Sequence, residues 1–516
     1  MAELIRSAAP VSVETVATDV VARAAPVAVF QGYDSVTGSG LSTALTGETK
    51  TVGGTSSVSY RICTDIETLS SALEIDQSLS VSFGPVGNVD QKTKFVHNLN
   101  ITTFSVSIVV FARHLKGSEV MTHAALKQGM NPPHGTEELR NFFRGYGDSF
   151  ISSVSEGGEY YAVYTYFSQT REEQFELTAS MNAHGIFQGG SVDASLQTKI
   201  SSFNSSVTTR IAFDQNMSGI RDPKFPDSDH IIEFALAFPS MELTAPAIVE
   251  FETLGYERVP NFGDFQPVAK NREFFVGNTV VGGLTKPLVT IQQLQNQIEW
   301  IKQVYQFYGG YSDGKVDATA AAAKTDHDTI NNLIIAYEND PTGSFVSPKL
   351  PSLDNGTPEL EYEVKHSESR GGGGGGPFDD VNVDTAIPQQ TRISALQLRC
   401  GARIDKLITT YTNTSTTWTV EHGGNGGSLS NKINLKHGNV VADIAGRSGK
   451  RVDHLTFKTS NGDALDGGGG GGDPFNENVP NGSFLLGFAG RSGSELDQIQ
   501  FVYGTFLPAR WTPIPD

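Results

Sequence analysis

Residues 146–166 read YGDSFISSVSEGGEYYAVYTY. The aromatic run Tyr160, Tyr161, Tyr164 and Tyr166 favours a strand, because such side chains pack well on a pleated surface. Gly157-Gly158 at its head marks a bend, a bulge or a close backbone approach, since only glycine lacks the Cβ that would clash there. Strand patterns also lie upstream. SVSYRIC alternates at Val58, Tyr60 and Ile62, LSVSF at Leu79, Val81 and Phe83, and TFSVSIVVF at Phe104, Val106, Ile108 and Val110. A period of two predicts strands with one apolar and one polar face. Downstream, Phe175, Leu177, Ala179, Met181 and Ala183 alternate, and so do Val207, Thr209, Ile211 and Phe213, with the glycine-rich HGIFQGGSVD between them. Residues 169–214 therefore predict a hairpin of two amphipathic strands, and residues 69–101 a second one. Each arm reaches the roughly 9–11 residues that a membrane strand needs. The alternating set that would face lipid in ELTASMNAHG carries no charge, and Arg210 falls on the polar face.

The spacing of Tyr146, Gly147, Phe150, Gly157 and Gly158 resembles the signature of the membrane attack complex/perforin (MACPF) family: an aromatic, Gly, Ser/Thr, His, an aromatic, six residues, then Gly-Gly. Asp148-Ser149 stand where the family usually has a hydroxyl residue and His. GYDSVTG at residues 32–38 is a second point of resemblance, to a Gly-Tyr-Asp near the start of such domains. The resemblance implies a bent antiparallel sheet, similar to that of the cholesterol-dependent cytolysins, with flanking helical segments. It also implies two foldable segments that unfurl into a transmembrane β-barrel.

Composition limits the alternatives. The chain has 516 residues, enough for two or three domains. Its net charge of −19 argues against nucleic acid and against simple adsorption to anionic lipid. Cys63 and Cys400 are far apart and predict free thiols rather than a disulfide framework. No apolar stretch reaches the 18 or so residues of a membrane helix, and the N-terminus lacks the apolar core of a secretion signal. The expectation is a protein soluble when made, acting at a target-cell membrane by refolding.

Further along, residues 123–145 predict helix at both ends, broken at Asn131-Pro132-Pro133, and residues 229–258 predict return strands. Ile291, Leu294, Ile298, Ile301, Tyr305 and Tyr308 recur at three-four spacing in a helix that starts at Thr290 and stops at Gly309-Gly310. A second helix is expected over residues 318–338. Asp326-His327-Asp328 within it reads as a solvated face, not a metal site, because neighbouring helix residues point apart. His184 and His230 are lone histidines without a catalytic partner. Residues 341–358, rich in Pro, Ser and Gly, predict a boundary.

The last third contains three copies of one pattern: RCGARIDKLIT from Arg399, RSGKRVDHLTF from Arg447 and RSGSELDQIQF from Arg491. A glycine loop precedes each: Gly371–Gly376, Gly423–Gly427 and Gly467–Gly472. Three β units closing on themselves give a three-sided prism that hides its strand edges. An Asp carboxylate accepts hydrogen bonds from two adjacent sugar hydroxyls, and a glycine loop lets backbone N–H groups approach the same sugar. The segments resemble jacalin-related lectins, in which a Gly-x-x-x-Asp turn faces a Gly-Gly-x-Gly-Gly loop. That resemblance implies carbohydrate contacts from Gly401 and Asp405 with Gly423, Gly424, Gly426 and Gly427, from Gly449 and Asp453, and from Gly493 and Asp497.

The fold class expected is α+β: an arm (1–30), an MACPF-like domain (31–340), a linker (341–359) and an all-β prism of threefold pseudo-symmetry (360–516). The function expected is a pore-forming toxin or defence protein, such as an insecticidal one, that binds cell-surface glycans, oligomerises and inserts hairpins into target lipid. The membrane-inserting residues would be Leu79, Val81, Phe83, Phe175, Leu177, Ala179, Met181, Val207 and Ile211. The alternative is a non-lytic glycan-binding agglutinin or signalling protein. The sequence shows no nucleophile elbow, phosphate loop or metal spacing, so neither enzyme activity nor a cofactor is expected.

Overall fold

The computed structural model describes residues 27–514 apart from 76–90, 188, 208, 278–282, 384–385, 388, 414–415, 437 and 480–481. Its N-terminal sheet contains β1 (Gly32–Asp34), β2 (Ser39–Gly40), β3 (Leu45–Gly53), β4 (Ser56–Cys63), β5 (Ser105–Leu126), β6 (Ser149–Phe167), β7 (Gly189–Ser191), β8 (Arg210–Met217) and β9 (Ala247–Gly255). The antiparallel pair β5–β6 is the spine. Beyond β5, β4 covers one half and β3 the other. Beyond β6, β8 covers one half and β9 the other.

All of these partners change at one level. There the β5–β6 register slips between Leu115 and Gly117, opposite Gly157, and such an extra residue bends and twists the strand that carries it. The chains also come too close for side chains. A Cβ on Gly158 would lie 2.6 Å from Leu243 Cδ2 and 2.9 Å from the Ser218 carbonyl oxygen. One on Gly157 would overlap the His114 carbonyl, and one on Gly54 the Leu115 carbonyl. The Gly-Gly pair thus marks a bulge and a close approach together.

Two segments interrupt the sheet, residues 64–104 between β4 and β5 and residues 168–209 between β6 and β8. The first carries α1 (Ile66–Ala72) and α2 (Gln91–Asn98), which lay Ile66, Leu69, Leu73 and Val96 against Val109, Phe111, Tyr161 and Val163. After β5 comes α3 (Gly135–Tyr146). The second segment carries α4 (Arg171–Ala183) and α5 (Ser195–Ser206), and α6 (Ile231–Ala237) follows β8. These lay Leu177, Met181, Ile200, Phe203 and Ile232 against Val106, Ile108, Val110, Tyr160 and Tyr164, the alternate residues and hence the opposite face. Each such side chain, fully buried, contributes about 1.5–3 kcal/mol.

Several expectations are corrected here. The middle of the sheet is buried on both faces, because each face carries a helical layer, so β5 from Ser105 to Arg113 and β6 opposite it have no free polar face, whereas Lys116, Glu119, Thr122 and His123 further along β5 are exposed. Phe175, Leu177, Ala179 and Met181 lie on helix α4, not on a strand. Leu177 and Met181 are buried, whereas Phe175 and Ala179 are exposed. Val207 caps the end of α5, and of that arm Ile211 and Phe213 lie in a strand, β8. Leu79, Val81 and Phe83 lie outside the described residues, as does most of the proposed arm. His123–Leu126 continues β5 instead of starting a helix. IIEFALA is helix α6, although the later run does form β9. Asp326 is buried, not solvated: its carboxylate accepts the Ser352 N–H at 2.7 Å.

The two quoted motifs of the N-terminal part meet in space. Gly32 and Tyr33 of β1 pair with Phe150 and Ser149 of β6. Asp148, fully buried, accepts the Ser35 N–H at 3.1 Å and the Tyr337 hydroxyl at 2.8 Å. Helix α7 (Gln266–Val276) sends Arg272 to the Asp148 carbonyl at 2.8 Å.

Helix α8 (Thr285–Phe307) begins earlier than the sequence suggested, and Gly310 closes it with an N–H bond to the Tyr305 carbonyl at 2.9 Å. Leu288, Ile291, Leu294 and Ile298 lie in the N-terminal core. Ile301, Val304, Tyr305 and Tyr308 lie in a second core with Leu360, Phe484, Leu486, Val502 and Phe506 of the C-terminal sheets. The Tyr308 and Phe484 rings stack at 4.2 Å. Asp313 caps α9 (Gly314–Asn339) with one carboxylate oxygen and takes the Ala509 N–H at 2.8 Å with the other.

The C-terminal part is three antiparallel sheets. One holds β10 (Thr357–His366), β11 (Arg370–Gly371), β12 (Gly376–Asp379), β22 (Ser483–Ser492) and β23 (Leu496–Thr512). The second holds β13 (Arg392–Cys400), β14 (Ile404–Thr412), β15 (Thr417–Gly423), β16 (Ser428–Leu429) and β17 (Ile433–Asn434). The third holds β18 (Val441–Ser448), β19 (Val452–Thr459), β20 (Ala464–Gly468) and β21 (Asp473–Asn478). Leu398, Leu407, Ile444, Leu455, Phe457, Phe488 and Phe501 from all three meet in one core.

Candidate functional site

Each of the three sheets has a hairpin whose tip carries the Gly-x-x-x-Asp pattern: Gly401–Asp405, Gly449–Asp453 and Gly493–Asp497. The tips close alike. The N–H of Gly401, Gly449 and Gly493 donates to the carbonyl two residues on, at 3.0, 2.9 and 3.0 Å. Opposite each tip runs a five-residue loop, at 423–427, 468–472 and 371–375. Its first and fifth glycines adopt positive φ: +121° and +60°, +112° and +64°, +114° and +62°. The second residue of each loop donates its N–H to the carbonyl of the facing Asp. These bonds are Gly424 to Asp405 at 2.8 Å, Gly469 to Asp453 at 2.9 Å and Gly372 to Asp497 at 2.9 Å.

The fourth and fifth loop positions must be glycine because of the carboxylates and the tip backbone beside them. A Cβ on Gly427, Gly472 or Gly375 would lie 2.5, 2.6 and 2.6 Å from Oδ2 of Asp405, Asp453 and Asp497. The fourth glycines, Gly426, Gly471 and Gly374, lie against Oδ1 of the same residues. The structure thus brings each predicted Asp onto its glycine loop, with Gly401, Gly449 and Gly493 beside it. Asp453 and Asp497 are buried and Asp405 is half-buried. A polyol entering beside such a loop meets a carboxylate with two acceptor oxygens and a backbone stripped of side chains, which is the chemistry of hydroxyl recognition.

Sequence reasoning missed the arginine that opens each repeat. Arg447 donates to the Gly471 and Gly472 carbonyls at 3.0 and 2.8 Å, and Arg491 to those of Gly374 and Gly375 at 3.0 and 2.8 Å. Arg399 does the same to Gly427 at 2.7 Å. Its recurrence in all three copies was the available signal. The equal spacing from Gly423 and Gly467 to the next arginine misaligned the third loop by one residue. Gly468, not Gly467, matches Gly423, and Gly467 lies in β20, where a Cβ would stand 2.7 Å from Cys400 Sγ. Gly373 and Gly470, the middle loop residues, face open space, where the remaining loop has Asn425.

The N-terminal part buries a cluster of charge beside Gly157-Gly158. Glu159 follows Gly157-Gly158, is buried, and lies 2.7 Å from Lys92 of α2 and 2.9 Å from Arg113 of β5. Arg113 also pairs with Glu74, beyond α1. A second carboxyl group sits at the end of α9. Burial pushes Glu338 up to about 9, reinforced by Asp34 and Asp148. Burial, then Asp34, raises Asp148 to about 6. Among the described residues no group of His, Cys, Asp and Glu is arranged to hold a metal ion.

The family model of the Jacalin-like lectin domain matches residues 367–502. Wild-type Malaysian banana lectin is 25% identical to this chain, over 28% of this chain and 99% of its own, with a TM-score of 0.25. AcmJRL, a mannose-binding jacalin-related lectin from Ananas comosus, is 25% identical over 28% of this chain and 99% of its own, also with a TM-score of 0.25. An artocarpin–mannotriose complex is 25% identical over 27% of this chain and 97% of its own, with a TM-score of 0.24. No curated protein matches the chain.

Proposed function

We propose, taking residues 367–502 as a jacalin-like lectin domain, that this protein binds glycans through the three hairpin tips of its prism. The observation that carries the reading is the threefold recurrence of one constellation: a carboxylate lodged on a glycine loop that an arginine holds open. Single sugar sites bind weakly, and three on one end of a domain raise avidity toward a branched or clustered glycan. The test uses the full chain, because α8 packs against the prism sheet that holds β10, β22 and β23. On a glycan array that includes mannose oligosaccharides, the wild type is expected to bind, and the triple variant Asp405→Asn, Asp453→Asn, Asp497→Asn to lose binding while keeping its fold by circular dichroism. Binding unchanged in the triple variant sinks the reading.

A second reading, pore formation, draws support from one arrangement in the N-terminal part. Both helical segments connect neighbouring antiparallel strands, β4 to β5 and β6 to β8, so a helix-to-strand change in either would lengthen a hairpin that already exists. A barrel closed from several copies would leave no free strand edge in lipid. The perforin-like spacing around Gly157-Gly158 points the same way. The reading predicts a toxin or defence protein whose lectin domain gathers copies on a target cell, with no enzyme chemistry. Dye release from glycan-bearing vesicles tests it. Glycan binding without oligomers or leakage would leave an agglutinin or signalling lectin.

A further inference from the structure

The three tips form a ring in which each glycine loop rests on the next tip. A Cβ on Gly372 would stand 2.6 Å from the Lys450 carbonyl, and Gly424 and Gly469 abut the carbonyls of Ser494 and Ala402 in the same manner. The third residue of each tip therefore faces the neighbour's carboxylate. Arg451 Nε lies 2.9 Å from Asp497 Oδ1, and Arg403 Nε lies 3.6 Å from Asp453 Oδ1. The remaining tip carries Glu495 at this position. It draws in both arginines, Arg403 at 3.1 Å and Arg451 at 3.4 Å, and gives Asp405 no counter-ion. The cations nearest to the Asp405 loop are otherwise engaged: Lys406 binds Glu421 and Asn425, and Arg399 holds the Gly427 carbonyl. Among the described residues, Asp405 makes no ion pair.

We infer that the three sites are graded and that Arg451 and Arg403 set the order, with the Asp405 site open, the Asp453 site intermediate and the Asp497 site covered. This rests on the glycan-binding reading and adds which carboxylate a sugar takes first. A sugar hydroxyl is a neutral donor. At Asp497 it must displace, or share an oxygen with, a guanidinium held there as an ion pair, and a partly exposed pair of this kind is worth up to about 1 kcal/mol. At Asp405 both carboxylate oxygens are available at once. Arg451 and Arg403 are partly solvent-exposed, so replacing them alters the sites without opening a core.

The experiment titrates methyl α-mannoside, with methyl α-galactoside alongside, into the full chain, read by calorimetry and by amide shifts of the loop glycines. In the wild type, Asp405→Asn is expected to abolish the tightest binding, whereas Asp497→Asn leaves it in place. Arg451→Gln is expected to tighten the Asp497 site by up to about fivefold, the worth of roughly 1 kcal/mol. Asp497→Asn placed on top of Arg451→Gln should erase that gain. The grading is overturned if Asp497→Asn removes the tightest binding, or if Arg451→Gln leaves the Asp497 site as it was or weakens it. If neither sugar binds the wild type or any variant, while the glycan array is also blank, the grading falls together with the reading beneath it. A positive array with equal sites sinks the grading alone.

Discussion

The N-terminal sheet and the C-terminal prism both place glycines and charges side by side, but in opposite ways. In the sheet, Gly54, Gly157 and Gly158 let chains touch where the partners of β5 and β6 change, and the neighbouring charges Lys92, Arg113 and Glu159 are buried. In the prism, the glycines hold backbone against three carboxylates, two buried and one half-buried, and the partner charges Arg403, Arg451 and Glu495 remain partly wet. The lesson is that the same residue types lie wholly out of water in one region and at its edge in the other.

The largest effect that would break this contrast is expected at Glu159. Glu159→Gln leaves Lys92 of α2 and Arg113 of β5 without their shared partner and should cost about 3–5 kcal/mol, measured by chemical denaturation. Glu495→Gln in the prism should change stability by no more than about 1 kcal/mol. Equal costs would erase the distinction.

Next is a pH effect confined to the N-terminal part. Glu338 has a folded-state pKa raised to about 9, so its proton is held more tightly in the folded chain than in the unfolded one. Its contribution to stability is full below the ordinary Glu range and is lost as pH climbs toward about 9, with a slope of at most about 1.4 kcal/mol per pH unit. Melting temperature should fall across that window, and Glu338→Gln should flatten the fall.

Smaller effects sharpen the glycine comparison. Gly158→Ala must push against Leu243 and the Ser218 carbonyl and is expected to cost about 1–3 kcal/mol. Gly373→Ala enters open space and should stay within about 0.5 kcal/mol in the same denaturation assay. Smallest in stability but not in binding is Arg491→Ala. Its removal frees the Gly374 and Gly375 carbonyls at the surface and should weaken sugar binding at Asp497 alone, seen as lost amide shifts in that loop.

The two halves were also unequally legible. The prism could be read because three copies repeat the same pattern, so Asp405, Asp453 and Asp497 pointed to one another. What the repeat could not reveal was the cross-tip pairing of Arg451 with Asp497, which depends on how the ring closes. In the sheet, the tyrosine run reads as a strand and Gly157-Gly158 as a bend, a bulge or a close approach at its head; β6 instead starts at Ser149 and carries the pair in its interior, opposite a bulge in β5. Helix α4 was misread because Phe175, Leu177, Ala179 and Met181 fit a period of two as well as the three-four spacing of Gln174, Leu177 and Met181, the residues it buries. The cue was just upstream. The Thr170 hydroxyl accepts the Glu173 N–H at 3.1 Å, and the Glu173 carboxylate takes the Gln169 N–H at 2.7 Å, a helix start written as Thr-x-x-Glu. Asp326 was misjudged for a different reason: the partner of its carboxylate is the returning Ser352 backbone, distant in sequence.

The hairpins β13–β14, β18–β19 and β22–β23 point their tips away from helix α8. Along β22, Phe484 and Leu486 grip the helix near one end and Ser492 leads into the tip at the other. Any surface that anchors the tips consequently sets the heading of the β5–β6 spine as well. A pull or twist applied at the anchor arrives at the spine through a shared rod of helix rather than through slack chain. The attitude of the whole molecule over that surface is then decided at the moment of attachment.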